Sequence, residues 1–340
     1  MKNKNKRYLA IFILSYCLIA VAVIVFKRWD ILPQITDCNP NGYQDGHFMA
    51  YCHSTKYGDY EHWAYWHEGD PVSMAAVKKA DVLFLGNSRT QYAFSTAAVS
   101  DYFSHSGIPH YVFGFGMGSY SPVPEMMIDK YGLKPKALII NADPFFADTL
   151  NGTNEQMLKS DFKTRWEFSA KRLAQKVQQS VCGTGKQGGF LYDRLCLGNN
   201  ETLYREPRHG HWKTDYYRPN KQIPVTYADT LLDRMDDTIA EAERFIHNVG
   251  LDKSCIILTV TPRSKTPLAF ARKLADKLGT PGIFPMLDGL LTVDDSHLDT
   301  TSAQRWSAAF LQAAAPHIET CTTGHTSVAD TDTGNTSRYR

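Results

Sequence analysis

No excess of one charge sign runs through this 340-residue chain: 37 Lys and Arg stand against 35 Asp and Glu, a net charge of +2. A nucleic-acid binder usually carries a basic excess or stripe, so nucleic acid is not an expected partner. No C-x-x-C pair occurs among the 7 cysteines, which removes the commonest zinc-ligand spacing. No metal and no cofactor is therefore expected, and no internal repeat is visible. Charged residues at 21% and hydrophobic ones at 43% exclude wholesale disorder. The length suits one large α/β domain with appendages, or two modest domains.

One long uncharged run is present. Tyr8 to Phe26 is rich in Ile, Leu, Val and Ala and is close to the ~20 residues that cross a bilayer as a helix. Lys2, Lys4, Lys6 and Arg7 precede it, against Lys27 and Arg28 after it, so residues 1–7 are expected to stay cytoplasmic. A cleaved signal peptide is the rival reading. The run is long for a signal core, and Val25–Trp29 offers no small-residue cleavage site. The expectation is a single-pass inner-membrane anchor over residues 8–26, with the main domain in the periplasm.

Cys17 lies inside that run. Cys38, Cys52, Cys182, Cys196, Cys255 and Cys321 remain, an even number that an oxidising compartment would let pair. Sequence neighbours suggest Cys38–Cys52, Cys182–Cys196 and Cys255–Cys321, among roughly fifteen possible pairings.

Residues 27–79 read as a polar, aromatic lead-in lying against the main domain, with a helical turn at its end. A domain over residues 80–318 follows. Val82–Leu85, His110–Phe113, Ala137–Ile140 and Cys255–Val260 are short apolar runs that alternate with helical stretches near 91–103, 121–131, 228–247 and 301–315. Such alternation predicts a parallel sheet covered on both faces, and Pro316 is expected to stop the last helix. Residues 145–227 break the pattern with a basic helix near 160–180, and form either an insertion over the C-terminal edge of the sheet or a surface excursion. Residues 319–340, Thr-, Ser-, Asp- and Gly-rich, are expected to be disordered.

Three stretches carry chemistry. Val82–Gly86 runs into Asn87-Ser88-Arg89, which presents a serine at a strand-to-helix turn where free backbone N–H groups can meet a developing negative charge. Asp294-Asp295-Ser296-His297 places an acid three residues before a histidine, the pairing a general base needs. Leu138–Asp143 holds Asn141. An acyl-transfer site needs a nucleophile, a base, an orienting acid and oxyanion donors. Read individually, Gly-Asn-Ser is also an ordinary turn and Asp-Asp-Ser an ordinary helix cap.

Together they resemble the SGNH hydrolase superfamily, the GDSL-type esterases and acetyltransferases. The resemblance implies a flavodoxin-like three-layer sandwich around a central parallel sheet. It implies Ser88 as nucleophile, His297 as base and Asp294 as its acid. The oxyanion hole would use Asn141 and a glycine of the loop 114–118, with Gly118 the better placed. Two departures concern that hole. The family's third block usually reads Gly-x-Asn-Asp, where this chain has Asn141-Ala142-Asp143, and the second block lacks the usual Asn before its glycine.

A membrane-anchored SGNH-like domain resembles the alginate O-acetylation and DltD-like proteins. That implies an acylated polysaccharide or small ester as substrate, and a membrane-bound acyltransferase as a partner. Arg89, Trp212 and Tyr216 are candidate substrate contacts, with Tyr204, Arg205, His211 and Arg218 nearby in the sequence. Arg89 and the aromatic stretch read equally as packing. A non-catalytic fold that holds a glycan or a membrane acyltransferase is the alternative.

Overall fold

The computed structural model describes residues 2–28, 38, 46–52, 58–59, 61–116, 118–150, 152–159, 162–182, 192, 195–198, 202–214, 222–228 and 234–323. The chain divides into two compact units. The first holds residues 1–71 and 152–207, the second residues 72–151 and 208–340.

The second unit is mixed α/β around a parallel four-stranded sheet. Its strands are β1 (Val82–Gly86), β2 (His110–Gly114), β3 (Ala137–Asn141) and β4 (Ile256–Thr259), in the spatial order β2-β1-β3-β4. Val82 pairs with His110 on one side and Ala137 on the other, and Leu138 with Ile256. Every residue of these strands is buried, as continuous apolar runs require when both sheet faces are covered. Alternate side chains point to opposite faces. Val82, Phe84, Val112, Ala137, Ile139 and Ile257 share one cluster with Phe94, Phe103, Trp306 and Phe310 from the covering helices.

The first strand connects outward to β2, and the chain then returns past β1 to β3. That reversal of direction opens a crevice at the carboxyl ends of the strands, where open α/β sheets bind ligands. Ser88 follows β1 after the single residue Asn87, and Asn141 ends β3. Both therefore lie on that edge.

Four helices expected from the sequence differ in extent. The stretch 91–103 is two helices, Ser88–Phe94 and Ala97–Ser106. Thr96 separates them by capping the second, its hydroxyl accepting from Val99 N–H at 3.3 Å and lying 2.8 Å from Ser307 Oγ. The helix expected from 228 runs Met235–Val249. The basic helix spans Phe162–Cys182. Pro316 does not end the last helix, which runs Thr300–Thr323. Beyond the proline, Ile318 is buried and Cys321 is cross-linked to Cys255, which adjoins β4. Closing 66 residues of chain stabilises by about 4 kcal/mol in the chain-entropy model, more than the ~3 kcal/mol a proline costs inside a helix. Residues 319–323 are thus ordered, and the rest of the expected tail lies outside the described residues. The sequence reading passed over the helix Leu268–Leu278 altogether.

The first unit corrects the lead-in. Phe48–Cys52 pairs antiparallel with Gly58–Asp59 and with Thr202–Arg205, so the lead-in and the insertion fold together. The helix Pro71–Lys79, placed in the lead-in by sequence, falls almost entirely in the sheet unit. Cys38–Cys52, Cys182–Cys196 and Cys255–Cys321 are the disulfides, as sequence neighbourhood suggested, and fit an oxidising compartment. The N-terminal helix Lys2–Arg28 contains a span, Lys6–Ile24, of mean hydropathy 2.3 with none of it buried. It is long and apolar enough to cross a membrane, a test that a signal sequence also passes.

Candidate active site

Ser88, His297 and Asp294 form one hydrogen-bonded relay. Ser88 Oγ lies 2.8 Å from His297 Nε2, and His297 Nδ1 lies 2.7 Å from Asp294 Oδ2. An ionised carboxylate only accepts, so the Nδ1 proton faces Asp294 and Nε2 is left to accept from the serine hydroxyl. The His297 side chain is 18% exposed and that of Asp294 37%, enough for a substrate to reach the imidazole.

The serine is held by backbone. Gly86 ends β1 with φ +151°, a conformation that L side chains rarely adopt, and an added Cβ would stand 2.0 Å from Thr90 Oγ1. The turn therefore needs glycine. Asn87 caps the helix Ser88–Phe94, its side-chain oxygen accepting from Arg89 N–H at 3.0 Å. Ser88 is the first helical residue, half-buried.

The histidine is held by a short connection between the strand Leu291–Thr292 and the final helix. Asp294 Oδ1 accepts from the N–H groups of Ser296 (3.1 Å) and His297 (2.9 Å), while Val293 N–H donates to His297 O at 2.8 Å. Asp295 takes φ +70° to make the turn. Burial pushes the Asp294 carboxyl upward. The hydrogen bonds and charge of His297, with the Ser296 N–H, outweigh this and hold it below its ordinary value.

Arg89 joins the two halves. Its Nε donates to Ser296 Oγ at 2.9 Å and its Nη1 to Asp143 O at 2.9 Å, with the Asp143 carboxylate 3.5 Å away. Arg263 Nε donates to that carboxylate at 2.7 Å. Burial lowers the Arg89 pKa, with Asp143 opposing. This side chain is a brace between the serine helix and the histidine loop.

Tyr92 was missed by sequence reasoning. Its ring lies 4.4 Å from the His297 ring, tilted by 30°, and Trp212 packs edge-on to it at 6.0 Å. The available signal was its spacing of four residues from Ser88, one turn along the same helix. Trp212 is itself buried, and its backbone N–H donates to Ser95 Oγ at 2.8 Å. It packs against Tyr92, the packing reading of the two that the sequence left open. Tyr204 and Arg205 are buried too, the guanidinium 5.0 Å from the Tyr65 ring. His211, half-buried, has its ring 5.8 Å from that of His110. Tyr216 and Arg218 lie outside the described residues.

Asn141 is buried beside Gly86, and its Oδ1 accepts from Thr261 N–H at 3.0 Å. Its Nδ2 keeps a long 3.5 Å contact with Asp143 O. Gly118, φ +81°, sits in the loop between β2 and the helix Pro122–Tyr131. That loop begins at Gly114, where an added Cβ would lie 3.1 Å from Asn87 O. An open cleft of about 820 Å³ is lined by Tyr120, Asp143, Phe146, Thr149, Arg234 and Arg244 among others. Among the described residues, no group of three or more His, Cys, Asp or Glu could hold a metal ion.

Comparison with protein-family models, with curated proteins and with solved structures returned no match.

Proposed function

We propose that this chain is a membrane-anchored, SGNH-type O-acyl esterase or O-acyltransferase that modifies a cell-surface polysaccharide through an acyl-serine intermediate. The observation that carries the reading is the Ser88–His297–Asp294 relay, with both links at hydrogen-bond distance. The strand order β2-β1-β3-β4 supports a flavodoxin-like arrangement. Disulfides in both units, with the N-terminal helix, support a periplasmic domain on a single inner-membrane anchor.

In the forward step Ser88 Oγ bonds the ester carbonyl carbon as its proton passes to His297 Nε2. Asp294 stabilises the resulting imidazolium. The tetrahedral oxyanion meets the Ser88 N–H at the helix start, the Gly118 N–H and the Asn141 amide, whose oxygen is already committed to Thr261. Losing one such donor costs about 3 kcal/mol of barrier. Collapse breaks the ester C–O bond, and the leaving oxygen takes the proton from His297. Water, or a sugar hydroxyl, then gives its proton to His297 and attacks the acyl-serine, and Ser88 recovers its proton on release. Transfer would draw the acyl group from an ester or from a membrane-bound acyltransferase.

A fluorophosphonate probe tests the reading. Wild-type protein is expected to be labelled and to turn over acetyl esters, and Ser88→Ala to do neither while melting normally. Labelling that persists in Ser88→Ala, or a folded wild type that shows neither labelling nor turnover, would overturn it.

A further inference from the structure

In the first unit, the described side chains of the helix Phe162–Cys182 invert the usual pattern. Among its described residues the buried side chains are polar: Gln175, Gln178 and Gln179. Arg172 points the same way, donating to Asp70 at 3.3 Å and lying 5.5 Å from the Phe48 ring. Gln178 Nε2 donates to Cys38 O at 3.2 Å and to Leu195 O at 2.8 Å. Large apolar side chains face outward instead. Phe162 is 84% exposed, Trp166 49%, Leu173 59% and Val177 49%. At about 100° per residue these four fall within one narrow stripe, opposite the glutamines and Arg172. A helix in water shows the reverse pattern, and the disulfide Cys182–Cys196 ties down this helix's far end.

The charges indicate what covers the stripe. Among the described side chains of the helix, Arg165 and Lys176 are exposed cations, a charge suited to anionic headgroups. Aromatic residues at one end suit the bilayer interface. The same unit holds the apolar N-terminal helix, none of whose span is buried.

We propose that the outward face of Phe162–Cys182 lies in the interfacial layer of an anionic bilayer, flat along its surface, as a second membrane attachment. Apolar side chains would sit at the boundary of headgroups and acyl chains, with Arg165 and Lys176, both exposed, among the phosphates. The proposal rests on the anchor reading of the N-terminal helix and does not depend on the acyl chemistry.

Spin labels on the full chain, in vesicles of mixed phosphatidylglycerol and phosphatidylethanolamine, test it. Six cysteines are disulfide-bonded, and Cys17 is free, so Cys17→Ser gives a clean background. Labels go at Leu14→Cys in the anchor, Leu173→Cys in the stripe and Lys277→Cys in the sheet unit. The expected result is more collision with oxygen than with a nickel chelate at 14 and 173, and the opposite at 277. A label at 14 within the hydrocarbon and one at 173 as water-accessible as 277 would overturn the proposal and leave the anchor standing. A label at 14 outside the bilayer would overturn both. A label at 173 shielded in native membranes but water-accessible in vesicles would mean that a protein covers the stripe, and would also overturn the lipid contact.

Discussion

The serine and the histidine of the relay are held by opposite means. Ser88 stands on backbone: a fully buried strand, a glycine whose dihedral suits almost no other residue, and a capped helix start. His297 stands on side chains: a partly exposed turn cross-braced by Asp294 from within and by Arg89 through Ser296 from outside. The serine side should therefore fail when atoms are added, and the histidine side when polar partners are removed. Arg89 belongs to both, since it grows from the serine helix and grips the histidine turn.

The largest expected effect treats the two sides as one machine. Ser88→Ala and His297→Ala should each lower kcat on an acetyl ester by roughly 10⁴- to 10⁶-fold, and the double variant should be no worse than the worse single. Additive losses in steady-state kinetics would break the pairing. Asp294→Asn should cost about 10⁴-fold by favouring the wrong imidazole tautomer, with its melting temperature little changed because the amide oxygen can still accept from Ser296 and His297. Gly86→Ala should do the reverse, destabilising by about 3 kcal/mol in urea titration through strain and overpacking. A Gly86→Ala variant as stable as wild type would refute the claim that backbone geometry fixes the nucleophile.

Arg89→Lys should lower kcat about 10-fold while KM stays near wild type, because one ammonium cannot serve Ser296 and Asp143 in the same geometry. A change in KM alone would return Arg89 to substrate binding. The smallest effect concerns acid. The Asp294 carboxyl is held below its ordinary value of 3.8. Its contribution to stability is therefore complete above that value and fades as pH falls through the lowered one. Wild type should lose stability relative to Asp294→Asn only below pH about 4, as read by melting at stepped pH.

Much of this was legible because it is local. Val82–Leu85, Ala137–Ile140 and Ile256–Thr259 are apolar runs too short for helices, and they became the sheet. The Asp294–His297 spacing and the strand-end serine named the relay, and cysteines 14 residues apart closed two loops. What was hidden depends on distant partners. Pro316 reads as a stop signal until Cys255 and the core hold the residues beyond it. Trp212 reads equally as a sugar contact or as packing until its burial, edge-on to Tyr92, is seen. Arg89 looks like a surface residue because Ser296, its partner, lies 207 positions away. Residues 145–227 looked irregular because their strand is completed by Phe48–Cys52, far upstream in the sequence.

Phe94, at the far end of the serine helix, rests on Trp306 (5.4 Å) and Phe310 (5.2 Å), and His297 directly precedes the helix that carries both. The floor beneath the Ser88 helix and the imidazole hydrogen-bonded to the Ser88 hydroxyl thus come from one stretch of chain, residues 297–310. A copy interrupted before residue 297 bears a hydroxyl with no proton acceptor and no finished support.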